Sequence, residues 1–244
     1  DQGKWIYDFG HNGTMDSASG PWGKQDGDQP LAGDFDRDGI VDDVAIFRPS
    51  NGSWHYSYDH DSGTDEQGGP WGVAGDLPFA GDFDNDGYLD DVAYFKPWPQ
   101  TWCYDHDHDN APHICDEWVS DWGYAEGVPF AGDFDPEDQF ANDVGLYLPG
   151  EKICLYDWGH DGTTDESSMA PVVCQQARSD CRPFAGDFDG DGLLDDVGFF
   201  DKTTGWWLFD HDHDGSVDER HVWGWHMAVP VAGAFGENED PYAP

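Results

Sequence analysis

The sequence predicts an all-β protein, a five-bladed β-propeller whose blades are four-stranded antiparallel sheets. The first reason is a repeat: the string Ala-Gly-Asp-Phe-Asp begins at residues 32, 80, 131 and 185, and a diverged copy, Ala-Gly-Ala-Phe-Gly, begins at residue 232. The second is that each unit holds four short apolar or aromatic segments separated by Gly, Pro and Asp. The third is that no helical apolar period persists. Such units are typical of propeller blades.

The four segments of a unit are called A, B, C and D in chain order. Segment A holds the Ala-Gly-Asp-Phe string, B reads Asp-Val-Ala or Asp-Val-Gly, C is rich in rings, and D lies near a Trp-Gly pair. The chain begins with C and D and ends with A, so we expect its two ends to pair and close the ring. One domain over 1–244 then divides into blade 1 (1–29 and 230–244), blade 2 (30–77), blade 3 (78–128), blade 4 (129–182) and blade 5 (183–229).

The B segment of blade 1 is the irregular part of this pattern. Tyr242-Ala243-Pro244 resembles the end of the other B segments, but the stretch before it is about five residues short. Blade 1 therefore has either a stunted B strand or an empty position. An empty position leaves strand edges with which a strand of another molecule can pair.

Composition limits the classes of function. The chain has 52 acidic and 10 basic residues, a formal net charge of −42, and 16% aromatic residues, which indicate a core built from rings. The charge excludes ordinary nucleic-acid binding, because phosphate contacts need clustered Lys and Arg. No apolar run is long enough to insert into a membrane. A chain that begins at Asp1 and carries five Cys predicts a secreted protein whose signal peptide has been removed.

The connections between A and B read Asp-x-Asp-x-Asp-Gly-x-x-Asp and predict calcium sites. Alternate carboxylates on a tight turn converge on one point, and the residue after the Gly can offer its carbonyl, which gives the oxygen cage that calcium prefers. The predicted ligands of the three regular loops are Asp34, Asp36, Asp38, Ile40 and Asp42; Asp82, Asp84, Asp86, Tyr88 and Asp90; and Asp187, Asp189, Asp191, Leu193 and Asp195. In blade 4 the loop lacks the Gly and carries an extra residue, and the candidates are Asp133, Asp135, Glu137 and Asn142.

A second series of candidate calcium loops connects C to D. The predicted ligands are Asp210, Asp212, Asp214, Ser216 and Asp218 in blade 5; Asp157, Asp161, Thr163 and Asp165 in blade 4; and Asp8, Asn12 and Asp16 in blade 1. Two copies are weaker: Asp59, Asp61 and Asp65 are two residues short, and Asp105, Asp107 and Asp109 lack the last Asp. An acidic surface of the halophile kind is the alternative, but it predicts scattered acids, whereas most acids here fall inside these loops. Several Ca²⁺ ions are therefore expected, and magnesium less so because it prefers few carboxylates and several waters.

The A–B loop followed by Asp-Val-Ala and a ring-rich strand resembles the FG-GAP calcium-binding repeats of integrin α-subunit propellers and their secreted microbial relatives. The resemblance covers nearly the whole chain. It implies a propeller fold with calcium in the A–B loops, at residues 34–42, 82–90 and 187–195. Integrin propellers have seven blades, whereas five are counted here, and the C–D loop series is a further difference.

The cysteines predict two disulfides. A hairpin brings Cys103 and Cys115 together, which favours that pair. Cys174 pairs either with Cys181 across a short loop, leaving Cys154 free, or with Cys154, leaving Cys181 free, because connectivity cannot be deduced from sequence.

Histidines and tryptophans follow the repeat. Five His alternate with Asp in the C–D loops and are expected to face solvent: His60, His106, His108, His211 and His213. One set of Trp repeats in phase and is expected to pack between blades: Trp5, Trp22, Trp54, Trp71, Trp102, Trp122, Trp206 and Trp223. The others are candidates for exposed contact surfaces: Trp98, Trp118, Trp158, Trp207 and Trp225.

No nucleophile elbow, phosphate loop or zincin helix is present, so no enzyme is predicted. The expected function is a structural or interaction role, as a self-assembling subunit of an extracellular filament or surface structure. Its expected partners are other copies of the chain or a cell-surface partner. A lectin-like or adhesion module that binds glycans is the alternative. A polysaccharide hydrolase or lyase is the least favoured reading, because its carboxylate pairs would look the same as calcium ligands.

Overall fold

The computed structural model describes residues 3–9, 12–23, 25, 27–59, 63–107, 114–135, 137, 140–175, 180–225 and 228–233. These residues form antiparallel sheets arranged as in a β-propeller, with a single short 3₁₀ helix at Trp158–His160 among them. No helix in the described ranges is long and apolar enough to cross a membrane.

Four sheets of four strands take the places predicted for blades 2 to 5, each in the order A-B-C-D from one edge to the other. Blade 2 contains β3 (Gln29–Gly33), β4 (Asp43–Arg48), β5 (Ser53–Ser57) and β6 (Glu66–Gly68). Blade 3 contains β7 (Leu77–Gly81), β8 (Asp91–Lys96), β9 (Thr101–Asp105) and β10 (Glu117–Ser120). Blade 4 contains β11 (Val128–Gly132), β12 (Asp143–Leu148), β13 (Ile153–Asp157) and β14 (Glu166–Met169). Blade 5 contains β15 (Cys181–Gly186), β16 (Asp196–Asp201), β17 (Trp206–Asp210) and β18 (Glu219–Val222).

The prediction of five four-stranded blades is wrong for the described residues, which hold four. Blade 1 is represented by a two-stranded sheet, here called the first sheet, of β1 (Lys4–Tyr7) and β2 (Ser17–Pro21). Its predicted A strand does not form over 230–233, and 234–244, with the B segment, lies outside the described residues. In the other blades an A strand is hydrogen-bonded only to a B strand, so 230–233 lacks a described strand with which to pair.

The A strands lie side by side and join neighbouring blades. The amide of Asp82, just after β7, donates to the carbonyl of Ala141 in the A–B loop of blade 4 at 3.0 Å. Equivalent bonds join Asp34 to Leu89 and Asp133 to Leu194. The repeated Gly permits this approach, because a Cβ on Gly81 would lie 2.9 Å from the Ala141 carbonyl oxygen and 2.5 Å from the Phe83 ring.

Tryptophans join C to D and each blade to the next. In strand C, the indole of Trp102 donates to the backbone carbonyl of Trp122 at 3.1 Å. The indole of Trp122 in turn donates to the hydroxyl of Thr164 in the C–D loop of blade 4 at 3.0 Å. The first of these bonds recurs in the first sheet and in blades 2 and 5, and the second recurs from Trp22 to Thr64.

In blade 5 the tryptophan at the repeated position is not the predicted one. Trp207, not Trp206, pairs with Phe200 in register and donates to the carbonyl of Trp223, so it occupies the repeated position. Of the tryptophans predicted to be exposed, Trp98, Trp118 and Trp225 are exposed.

Blade 4 lacks this tryptophan pair: Ala170 makes the backbone bond to Lys152 that Trp71 makes to Gly52 and that Trp223 makes to Gly205. Cys154 occupies the register position that Trp102 has in blade 3, and it is free and buried. The Cys174–Cys181 disulfide packs in the same apolar cluster. The Cys103–Cys115 disulfide is also present, so the pairing predicted for blade 3 is confirmed and the open alternative for Cys174 is decided.

Two contacts connect blade 5 to the ends of the chain. A Cβ on Gly13, in the C–D loop of the first sheet, would lie 3.2 Å from the Cβ of His221 on β18. A Cβ on Gly186, at the end of β15, would lie 3.3 Å from the Cβ of Ala232. The first sheet and the C-terminal segment 228–233 therefore both lie beside blade 5.

Candidate metal sites

The A–B loops fold around the carboxylate of their first Asp. In blade 2, one oxygen of Asp34 accepts the amide of Asp38 at 2.9 Å, and the other accepts the amide of Gly39 at 3.0 Å. Gly39 has a φ of 92°, a conformation that favours glycine. The same two bonds recur at Asp82 and Asp187, so all three regular loops share one turn.

This turn brings carboxylates together. Oxygens of three acids lie within 4.8 Å of one another in each regular loop, which is an arrangement that could hold a metal ion: Asp34, Asp36 and Asp43; Asp82, Asp84 and Asp86; Asp187, Asp189 and Asp191. In blade 2 the cluster includes Asp43, which was not among the predicted ligands. The alternation of acids in the sequence predicts that a cluster forms, but it does not predict which acid is the third member of the cluster.

Four predicted acids of these loops stand outside the clusters: Asp38, Asp42, Asp90 and Asp195. Asp90 lies 2.6 Å from Nε of Arg37, which reaches across from the blade 2 loop, and Nη1 of Arg37 lies 3.2 Å from Asp86. The carbonyl of Ile40 accepts the amide of Asp42 at 2.9 Å. The carbonyl ligands at Tyr88 and Leu193 stay predictions.

The A–B loop of blade 4 differs as its sequence predicts. Asp143 accepts the amides of Phe134 and Asp135, both at 2.6 Å, and Asp135 accepts the amide of Glu137 at 2.8 Å. Asn142 is buried, and its carbonyl accepts Nδ1 of His160. The predicted ligands Asp133, Asp135, Glu137 and Asn142 do not form a three-acid cluster among the described residues.

Each of the five C–D connections ends in an acid that accepts a backbone amide from the start of the same loop, and this residue is here called the closing acid. In blade 5 the amide of His211 donates to Asp218 at 3.0 Å, and the amide of Gly215 donates to Asp210 at 2.8 Å. The closing acids of the other loops accept the equivalent bond: Asp16, Asp65, Asp116 and Asp165.

Two C–D loops bring three acids within 4.8 Å. One is Asp210, Asp212 and Asp218 in blade 5, where Asp214 stays outside the cluster and the carbonyl of Ser216 stays a predicted ligand. The other is Asp105, Asp107 and Asp116 in blade 3. Asp116 was missed because an insertion separates it from Asp107. The predicted Asp109 lies outside the described residues.

The C–D loop of blade 2 is not two residues short, contrary to the prediction from its Asp spacing. Ser57 pairs with Val44 in the register in which Asp210 pairs with Val197, so Ser57 holds the first position and Asp59 the second. The loop is therefore of full length, with a serine in place of the first acid. Asp61 lies outside the described residues.

The other two C–D loops form no three-acid cluster among the described residues. In blade 4 the amide of Gly159, at the position of Asp212, donates to Asp143 at 2.8 Å. The blade 4 ligands predicted with it were Asp157, Asp161, Thr163 and Asp165, and Asp161 accepts the Thr163 amide at 2.9 Å. In the first sheet, Asp8 accepts the amides of Asn12 and Gly13, and Asp16 accepts that of Phe9.

Buried carboxylates at these loops have raised pKa values. Burial raises the pKa of Asp43 and of Asp91 to about 8, and that of Asp210 to about 7. Asp43, Asp91, Asp196 and Asp210 are each at most 2% exposed, and each has an Oδ1 that is buried without a hydrogen-bond partner. Burying such an oxygen unpaired is costly, and a bound cation would remove the cost.

The prediction that the loop histidines face solvent is wrong for the described ones. His106, His211 and His213 are half-buried. The His213 ring lies 6.0 Å from Phe134 and 5.4 Å from Tyr156 of blade 4. The loop turns inward because it packs against the preceding blade. His60 and His108 lie outside the described residues.

A cavity of about 680 Å³ lies between the first sheet and blade 5. The walls come from β1, from blade 5 and from the segment 228–233, and Pro30 and Ile46 of blade 2 also line the cavity. Several rings line it: Trp5, Tyr7, Trp22, Phe184, Phe188, Trp207, Phe209, Trp223 and Trp225. The cavity is found beside β1, which has β2 as its one hydrogen-bonded neighbour among the described strands.

Comparison with known proteins adds no family to these observations. No protein-family model matches the chain, and no curated protein matches it. The fold and the acid clusters therefore define the class: an all-β protein of propeller arrangement with several candidate metal sites.

Proposed function

We propose that this protein is a secreted, calcium-stabilised β-propeller with a non-enzymatic, structural role, which assembles with other copies of itself. The observation that carries the calcium part is the recurrence of three-acid clusters on equivalent loops of different blades. Carboxylate-only clusters suit a hard cation, and calcium accepts more carboxylates than magnesium does. The resemblance of the A–B loops to FG-GAP repeats supports the same ion. The two disulfides are compatible with an extracellular location.

Thermal melts test the calcium part. Each ion draws together carboxylates that repel one another, so calcium stabilises the folded chain by mass action. We expect the melting temperature to fall strongly in EDTA and to recover with calcium, and less fully with the same concentration of magnesium. An identical melting temperature in EDTA and in calcium would refute the proposal.

A closed ring of five blades is part of the proposal. Two close approaches support it, that of Gly13 to His221 and that of Ala232 to Gly186, because the first sheet and the C-terminal segment then both lie beside blade 5. In this arrangement the ring-lined cavity is the inner half of blade 1, where the other blades have their A and B strands. A strand contributed by a second copy would pair with β1 and fill this half with apolar side chains. Repetition of that exchange builds a filament.

Sedimentation with a β1 variant tests the assembly. The carbonyl of Tyr7 accepts the amide of Asp16, so the backbone polar groups of Tyr7 face β2. Because these groups alternate in direction along an antiparallel strand, the N–H of Ile6 faces away from β2. Ile6→Pro removes that donor without removing a bond to β2, and we expect it to sediment as a monomer in calcium. Ile6→Val keeps the donor and should assemble as the parent chain does. A parent chain that remains monomeric in calcium at all concentrations, or an Ile6→Pro variant that still assembles while folded, would count against self-assembly.

Glycan binding is the second candidate function. The cavity combines a Trp-rich wall with Asp8, Asp28 and His221, a mixture of flat apolar faces and hydrogen-bonding groups that also suits a sugar. Binding on a glycan array that is lost in Trp225→Ala would favour this function. An array without hits would eliminate it.

A further inference from the structure

We infer that the C–D loop of blade 5 binds one calcium ion of its own, and that this ion holds blade 5 against blade 4. The inference rests on the proposed function in one respect, that the chain is a calcium binder. It concerns the loop from Asp210 to Asp218, here called the latch loop. The FG-GAP resemblance places calcium in the A–B loops and implies nothing about this one.

The latch loop offers three carboxylates and a buried oxygen that lacks a partner. Asp210, Asp212 and Asp218 each place an oxygen within 4.8 Å of the others. Asp210 is 2% exposed; its Oδ2 accepts the Gly215 amide, whereas its Oδ1 is buried without any hydrogen-bond partner. A buried carboxylate oxygen in that state calls for a cation. The cluster contains no His or Cys, so a hard ion such as calcium fits it better than zinc.

The latch loop lies in the interface with blade 4. A Cβ on Gly215 would lie 2.3 Å from the carbonyl oxygen of Met169 on β14, so the loop backbone runs directly against that strand. The ring of His213 packs on Phe134 and Tyr156 of blade 4, and Val217 packs on an apolar cluster to which blades 4 and 5 both contribute. His213 has a φ of 41°, which is unfavourable for a residue other than glycine, so the loop needs to be held in this shape.

Blade 4 makes the equivalent contact without the acid cluster. Its loop has Gly159 in place of Asp212, and the Gly159 amide donates to Asp143. His160 then packs on Phe83 and Tyr104 of blade 3, as His213 packs on blade 4. In blade 5 the position of Gly159 is taken by Asp212, an acid of the cluster. In the proposed arrangement a cation bound by Asp210, Asp212 and Asp218 holds the blade 5 loop, whereas a backbone amide holds the blade 4 loop.

The test compares two single-charge variants of the full chain. Asp212→Ala removes an exposed acid of the cluster and leaves no side-chain oxygen that could bind the ion. Glu219→Ala removes a neighbouring exposed acid outside the cluster and serves as the matched control. Two quantities are measured in calcium: ions bound per chain by native mass spectrometry, and the chemical shift of the His213 ring protons, which the rings of Phe134 and Tyr156 displace. His213→Gln assigns the signal.

We expect Asp212→Ala to bind one ion fewer than the parent chain and its His213 signal to move toward that of an exposed histidine. Glu219→Ala should retain both values. Equal ion counts in the two variants would show that the latch loop holds no ion, even if the parent chain binds calcium elsewhere. Loss of an ion with an unmoved His213 signal would show that the ion does not hold the blades together. A parent chain that binds no calcium would overturn the proposed function as well.

Discussion

The Gly of the Ala-Gly-Asp string in blades 2, 3 and 4 is fixed by the neighbouring blade as well as by the Phe two residues further on. At Gly33, Gly81 and Gly132 a Cβ would come within 3 Å of a backbone carbonyl in the next A–B loop. A carbonyl in a closed loop cannot move aside as the end of a long side chain can. The repeat therefore records a contact between blades that is invisible within a single unit.

Gly81→Ala should destabilise the folded chain. The added methyl group meets both the Ala141 carbonyl and the Phe83 ring, and overpacking of this kind costs ~1–3 kcal/mol. Urea unfolding monitored by tryptophan fluorescence measures the change. Gly150→Ala is the matched control, because a Cβ there meets nothing within 4 Å and the free energy of unfolding should be nearly unchanged. Equal stability of the two variants would contradict the contact.

Individual ligand positions were only partly predictable. The spacing of Asp34 and Asp36 revealed a converging turn, because alternate residues of a tight loop share one side. The spacing concealed Asp116, since an insertion separates it from Asp107. It also concealed Ser57, because only the strand register shows that a serine stands at the first loop position of blade 2.

At the scale of elements, strands C and D are joined by indole hydrogen bonds as well as by their ladder. Trp102→Phe should cost about 2–3 kcal/mol, because the buried carbonyl of Trp122 loses its donor and a cavity opens. Trp118→Phe, on the exposed side of the paired strand, is the control and should be nearly neutral. Urea unfolding of both variants measures how much each lowers the free energy of unfolding relative to the parent chain. A similar cost for both would mean that the indole bond is not the cause.

The type of each strand followed from the repeat, whereas its partners did not always do so. Blade 4 lacks the Trp-Gly pair in its sequence, but the sequence does not reveal that Cys154 stands in the C-strand tryptophan position. In blade 5 the adjacent Trp206 and Trp207 satisfy the spacing equally well. Only the pairing with Phe200 distinguishes them.

At the scale of the whole molecule, stability without calcium should fall as the pH rises. Burial raises the pKa of Asp82 and Asp196 to about 6, of Asp157 and Asp210 to about 7, and of Asp43 and Asp91 to about 8. Unfolded Asp has a pKa of about 3.9, so the folded chain binds more protons and loses stability from about pH 4 up to about pH 8. Melting temperatures in EDTA from pH 5 to pH 8 should decrease steadily.

Calcium should flatten this dependence, because the ions take the place of the protons and binding releases them. The same melts repeated in calcium provide the comparison. A melting temperature in EDTA that rises with pH would mean that these acids are better solvated in the folded chain than their burial indicates.

The bonds between A strands run in one direction along the chain. The amide after the A strand of blades 2, 3 and 4 donates to a carbonyl of the following A–B loop, as Asp34 does to Leu89. In blades 3 and 5 that loop also carries a three-acid cluster. We expect a disturbance of the loop at 82–90 to reach blade 2 before blade 4. These contacts thus have a polarity: an ion proposed for the loop of blade 3 or blade 5 would support the preceding blade, and emptying that loop would act on the N-terminal side of it.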